Sequence, residues 1–184
     1  MIDNRTTQWL VCPTGLPLIR RRCLRCPSAR YRAHGKFRIN ANHKLLDVWL
    51  LALCARCGET IKLTVLDRAN VRTIDPAMLD RFHDNDVTLA AELLTDPALQ
   101  RRNNVTLDWD DAWTIEKTED CPSPVIHTSV RFAQRIPLRL TTLLAVGLEV
   151  SRSEIHRRLA DGTLSSPHRL TGRSSSDFSF TLRR

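Results

Sequence analysis

The sequence has no run approaching 18 consecutive apolar residues, which excludes a transmembrane helix. Its opening, Met-Ile-Asp-Asn-Arg-Thr-Thr-Gln, lacks the apolar core of a signal peptide, so a cytoplasmic protein with no membrane partner is expected. A glycine-rich phosphate loop, a nucleophile elbow and a His-Glu-x-x-His helix are all missing. Those catalytic classes are excluded, no small-molecule substrate is indicated, and a non-catalytic chain is expected. Internal repeats and long low-complexity tracts are missing too, which excludes a solenoid. Lysine is scarce, at 4 against 24 arginines. Arginine suits bidentate contact with phosphate and stacking on bases, although such a ratio also follows from genome base composition.

What is present is a chain of 184 residues, 42% apolar and 26% charged, with a net charge of +8. That is enough for one or two domains with a core that needs no disulfides. The charge is unevenly placed. Residues 1–74 hold 14 basic and 4 acidic side chains, residues 75–124 hold 4 and 12, and residues 125–184 hold 10 and 4. An acidic segment therefore lies between two basic ones, where it either caps helices and solvates a surface or competes with nucleic acid.

Six cysteines in a reducing compartment read as metal ligands or free thiols before disulfides. Four form two pairs, Cys23-Leu-Arg-Cys26 and Cys54-Ala-Arg-Cys57, with 27 residues between the pairs. Two thiolates separated by two residues fit one ion on a tight knuckle, and a second pair completes a tetrahedron. Gly58 after the second knuckle suits the turn. The reading is structural Zn2+ on Cys23, Cys26, Cys54 and Cys57. The competing readings are a redox pair, disulfides, and His34 or His43 replacing one cysteine. Cys12 and Cys121 have no partner at metal spacing and read as free thiols.

Between the pairs, Leu45-Leu-Asp-Val-Trp-Leu-Leu-Ala-Leu53 is an apolar run in which Trp49 and the leucines read as core. Thr60 to Leu66 alternates, with Ile61, Leu63 and Val65 on one face of a strand. Asp75-Pro76, Asp86 and Asp96-Pro97 start three helices. Val105 to Trp109 and Trp113 to Ile115 read as a short core hairpin with Trp109 and Trp113 inside. Glu119-Asp-Cys-Pro-Ser-Pro124 reads as a linker. Further on, Ser151-Arg-Ser-Glu154 is a capping box, and His168 to Leu170 and Phe178 to Leu182 read as strands about a turn at Gly172. His83-Asp84 lacks the further ligands that a metal-dependent hydrolase site needs.

Cys23 to Leu66 resembles a zinc ribbon. The strings Arg20-Arg-Arg-Cys23, Gly35-Lys-Phe-Arg-Ile-Asn-Ala-Asn-His-Lys-Leu45, Cys57-Gly-Glu-Thr60 and His83-Asp-Asn-Asp86 resemble the bacterial domain-of-unknown-function family 1062, a name that implies no activity. The C-terminal part is similar to the alpha-L RNA-binding motif through Leu138-Arg139, Gly147-Leu148, Ser151-Arg152, Gly162 and Leu170-Thr-Gly172. That second resemblance implies two helices and a hairpin contacting RNA through Arg139, Arg152, Arg157 and Arg173. It departs from the motif at Arg158 and at Ser165-Ser-Pro-His168.

The expected fold is α+β in three consecutive parts. These are a zinc-ribbon module (1–67), an acidic helical segment with a short hairpin (68–120), and a helix-helix-hairpin module (125–184). The expected function is binding of structured RNA, such as ribosomal or transfer RNA. Arg20, Arg21 and Arg22 would track the backbone and Tyr31 or Phe37 would be available to stack on a base. The alternative is a protein-protein adaptor docking through the ribbon and the acidic segment.

Overall fold

The computed structural model describes residues 6–118 and 123–183, so Cys121 and most of the expected linker lie outside the described residues. The chain divides into two compact units, a central one of residues 16–108 and a terminal one of residues 1–15 with 109–184. Among the described residues no helix is long and apolar enough to cross a membrane.

The central unit is a five-stranded antiparallel sheet with three helices. Its strands are β2 (Leu18–Arg20), β3 (Arg30–Asn42), β4 (Leu45–Cys54), β5 (Thr60–Asn70) and β6 (Thr106–Asp108), in the order β5-β4-β3-β2-β6. The helices α1 (Pro76–His83), α2 (Val87–Thr95) and α3 (Pro97–Asn103) run between β5 and β6. Strict alternation along β4 buries Leu46, Val48, Leu50, Ala52 and Cys54 on one side. They share a core with Phe82, Leu89, Ala90, Leu94 and Leu99 of the helices. Each helix starts where an aspartate accepts free backbone amides: Asp75 from Ala77 at 3.0 Å, Asp86 from Thr88 at 2.8 Å, and Asp96 from Ala98 at 2.8 Å. Two asparagines fasten irregular stretches of the sheet. Asn85 accepts from the Phe37 amide at 2.7 Å beside the β3 bulge, and Asn103 bonds both backbone groups of Thr64 beside the β5 bulge.

The terminal unit is built on a sheet of β1 (Thr6–Pro13), β7 (Trp113–Lys117), β8 (Val125–Phe132), β10 (Leu164–Ser165) and β12 (Phe178–Arg183), in the order β10-β12-β8-β1-β7. β1 runs parallel to β8 and antiparallel to β7. A two-stranded ribbon pairs β9 (Leu138–Arg139) with β11 (Arg173–Ser174). Helices α4 (Leu140–Leu148) and α5 (Arg152–Ala160) follow β9, and Leu140, Leu143, Leu144 and Ile155 are buried. Trp9 and Phe180 meet edge to face at 5.2 Å.

This architecture overturns the expected three-part fold. The chain is mostly β, with no separate zinc-ribbon module, because residues 18–70 form one sheet with β6 and share a core with α1, α2 and α3. No helix-helix-hairpin module occurs among the described residues. The strands after α5 are not each other's partners: β10 joins β12, β12 joins β8, and β11 joins β9. Joining the sheet buries Phe178, Phe180 and Leu182, which an isolated hairpin would leave wet. The expected hairpin at 105–115 is also corrected, since β6 pairs with β2 and β7 with β1. Trp49, Leu51 and Leu53 alternate with the buried residues of β4 and so lie on the opposite side of the sheet.

Candidate metal centre

Two loops at one end of the central sheet carry the cysteines. Cys23 and Cys26 lie in the β2–β3 connection, and Cys54 and Cys57 span the turn from β4 to β5. Since β3 and β4 are neighbours, both knuckles meet. All four sulfur atoms lie within 4.8 Å of one another. Cys23 Sγ is 3.6 Å from Cys57 Sγ, and Cys26 Sγ is 3.6 Å from Cys54 Sγ. Four sulfurs at the ordinary Zn–S distance form a tetrahedron with edges of about 3.8 Å, so the set fits one such ion. Neither His34 nor His43 belongs to the cluster.

Local hydrogen bonds favour the thiolate at two of the sulfurs, those of Cys23 and Cys54. The Arg25 amide donates to Cys23 Sγ at 3.4 Å. Gly58 takes φ +74, a left-handed conformation that closes the second knuckle. The Tyr31 hydroxyl, itself buried, lowers the Cys23 thiol, helped by the Arg25 amide. The Cys57 amide holds Cys54 down at about 6 against the opposing effect of burial. At Cys57 the Glu59 amide also lowers the thiol, but burial and hydrogen bonds from the other three cysteines outweigh it and push it up to about 12. Four adjacent thiolates repel one another, and a divalent cation removes that repulsion. Cys12 is a free thiol apart from this cluster, raised first by burial and then by Glu116.

Basic side chains surround the knuckles. Arg21, Arg22 and Arg56 are exposed and make no ion pair among the described residues. Arg20 differs. Its guanidinium and that of Arg30 hold the carboxylate of Asp108, only 2% exposed, at 3.2 and 3.4 Å. Arg25 pairs with Glu59 at 3.1 Å. Of the two aromatics expected to stack on a base, Tyr31 is buried, and Phe37 is half-buried against Phe82 at 5.1 Å. Neither is available.

In the terminal unit, Arg139 and Arg173 stand opposite one another in the two-stranded ribbon, and Arg173 donates to the Pro137 carbonyl at 3.1 Å. Arg152 is exposed at the start of α5 and makes no ion pair among the described residues. Arg157 is occupied by a two-pronged bond to Glu154 at 2.9 and 2.7 Å. Asp108 and Tyr31 escape sequence reasoning because their partners are distant in the chain. Alternation in β3 is the one local signal that Tyr31 points inward.

A family model described as protein of unknown function (DUF1062) matches residues 39–170. The chain belongs to this family. The DUF1062 match spans parts of both units and includes Cys54 and Cys57, whereas Cys23 and Cys26 precede it. The family description carries no activity, and neither the zinc-ribbon nor the alpha-L resemblance follows from membership. No curated protein and no solved structure matches the chain.

Proposed function

We propose that this DUF1062 member is a non-catalytic RNA-binding protein whose central unit is organised by one structural Zn2+ on Cys23, Cys26, Cys54 and Cys57. Four thiolates fill a tetrahedral ion, so a catalytic open position is lacking. A reducing, cytoplasmic setting belongs to the same reading, because thiolate ligands must escape oxidation.

The observation that carries the RNA reading is the set of arginines beside the knuckles, Arg21, Arg22 and Arg56, that have no carboxylate partner among the described residues. Uncompensated arginines on a fixed scaffold suit phosphate. In the terminal unit, Arg152 and the facing Arg139 and Arg173 have the same character, whereas Arg157 is neutralised by Glu154. Titration of RNA at two salt concentrations tests the reading. Binding should weaken steeply with salt, and replacing Arg21 and Arg22 by Gln should flatten that dependence by about two counterions. Salt-insensitive binding or no binding contradicts it. One observation favours the adaptor alternative: Leu24, at the tip of the first knuckle, is 97% exposed. An apolar contact there would resist salt and be lost in Leu24→Ser.

A further inference from the structure

We infer that the outward face of the central sheet is a platform for single-stranded RNA, on which an unpaired base stacks on Trp49. This rests on the RNA reading above and names its ligand and surface.

Register defines the face. Val48, Leu50 and Ala52 turn inward and are fully buried, so Trp49, Leu51 and Leu53 form a row on the other side. Trp49 and Leu51 are half-buried and Leu53 is 37% exposed. Arg38 stands opposite Trp49, Arg32 opposite Leu53, and Lys62 opposite Leu51. Residues opposite one another in an antiparallel pair share a face, so three cations border the apolar row. All three are exposed and none has a carboxylate partner among the described residues. The Lys62 ammonium lies 5.1 Å from the Trp49 ring centroid.

Of the acids along these strands, the exposed Asp67 pairs with none of the three cations among the described residues, and two others are engaged elsewhere. Asp47 accepts from the Arg68 amide at 2.7 Å, and Asp108 holds Arg20 and Arg30. Arg32 and Arg38 are therefore open to an anionic partner, and Lys62 is held only over the Trp49 ring. A partner seated on the leucines must also pair these cations, since stripping their water without pairing them carries a cost. Single-stranded RNA satisfies both halves of the surface, with bases for the indole and leucines and phosphates for Arg32, Arg38 and Lys62. Duplex RNA keeps its bases stacked on one another and has no use for an indole on a flat sheet. A base seated on Trp49 moves the Lys62 ammonium off the ring toward the adjoining phosphate. At the knuckle end of the sheet, the exposed Arg56 lies in the loop that follows β4.

The test is a titration of full-length protein with a labelled 12-nucleotide oligouridine, a 12-base-pair RNA duplex and a 12-nucleotide oligothymidine. Variants are Trp49→Leu and Arg38→Gln, each checked for an unchanged melting curve. Wild type should bind oligouridine more tightly than the duplex. Trp49→Leu should lose about ten-fold or more in affinity with an unchanged salt slope. Arg38→Gln should lower that slope by about 0.7. Should Trp49→Leu fail to fold, Arg38→Gln and Arg32→Gln decide alone. Variants that bind oligouridine as wild type does would overturn the platform and leave the RNA reading standing. A preference for duplex would also overturn it. No binding of wild type to any of the three probes overturns the RNA reading itself. Oligothymidine bound as tightly as oligouridine overturns the assignment to RNA.

Discussion

Glu154 sits in the first turn of α5, where its carboxylate accepts from Arg157 at 2.9 and 2.7 Å and from Arg158 at 2.6 Å. Those two guanidiniums, Arg157 first, hold its acid at about 2, below the ordinary value of 4.5. A carboxylate depressed in the folded state stabilises it fully above its unfolded value and loses that contribution as pH falls through the folded one. The terminal unit should therefore lose melting temperature between about pH 4.5 and pH 2. Glu154→Gln should melt lower than wild type at pH 7 and converge with it near pH 2. Parallel curves at every pH would show that the two arginines contribute nothing through Glu154. The Ser151 cap was legible in the sequence and is present, with the Glu154 amide donating to its hydroxyl at 3.1 Å. The reciprocal half of the box was not to be found: the motif fixes the spacing of Glu154, but two arginines a turn further on compete for its carboxylate.

At the scale of elements, helix α4 passes β1 with little room. A Cβ built on Gly147 would run into the Trp9 ring, which is itself fixed edge to face against Phe180. Alanine normally favours a helix interior over glycine by about 1 kcal/mol. Here it must push α4 away from a buried indole, and overpacking costs about 1–3 kcal/mol. Gly147→Ala should therefore destabilise the terminal unit in urea denaturation. A gain in stability would mean that Trp9 does not bear on α4. The three aspartate caps and the alternation of Ile61, Leu63 and Val65 in β5 were legible because each is local chemistry. The partners of β1, β6, β7 and β12 were not, because each lies far along the chain and nothing within a short window specifies it. Trp49 shows the same limit on a smaller scale. An apolar run of nine reads as core throughout, but a strand packed on one side only turns every second residue outward.

The whole molecule combines a terminal unit whose sheet contains both β1 and β12 with a central unit that holds all four clustered cysteines. The cysteine spacing made the cluster legible in advance. The division into units was hidden, because residues 6–13 form a strand whose partners begin a hundred residues later. Structural zinc contributes on the order of 10–16 kcal/mol in zinc-finger peptides, comparable to the whole stability of a typical domain at about 5–15 kcal/mol. Chelation should then open the central unit and spare the terminal one. Hydrogen exchange with and without a strong chelator should show protection lost across β3, β4 and β5 and kept across β1, β8 and β12. Equal loss in both units, or in neither, would count against a metal that organises the central unit alone.

Elemental analysis of protein purified without chelator, alongside Cys26→Ser, is the most direct measurement. One zinc per chain in the wild type, lost in Cys26→Ser together with the fold of residues 16–108, is the expected result. Iron in place of zinc would keep the four-thiolate centre and contradict its assignment as zinc. Metal-free wild type that melts as Cys26→Ser does would contradict the centre itself.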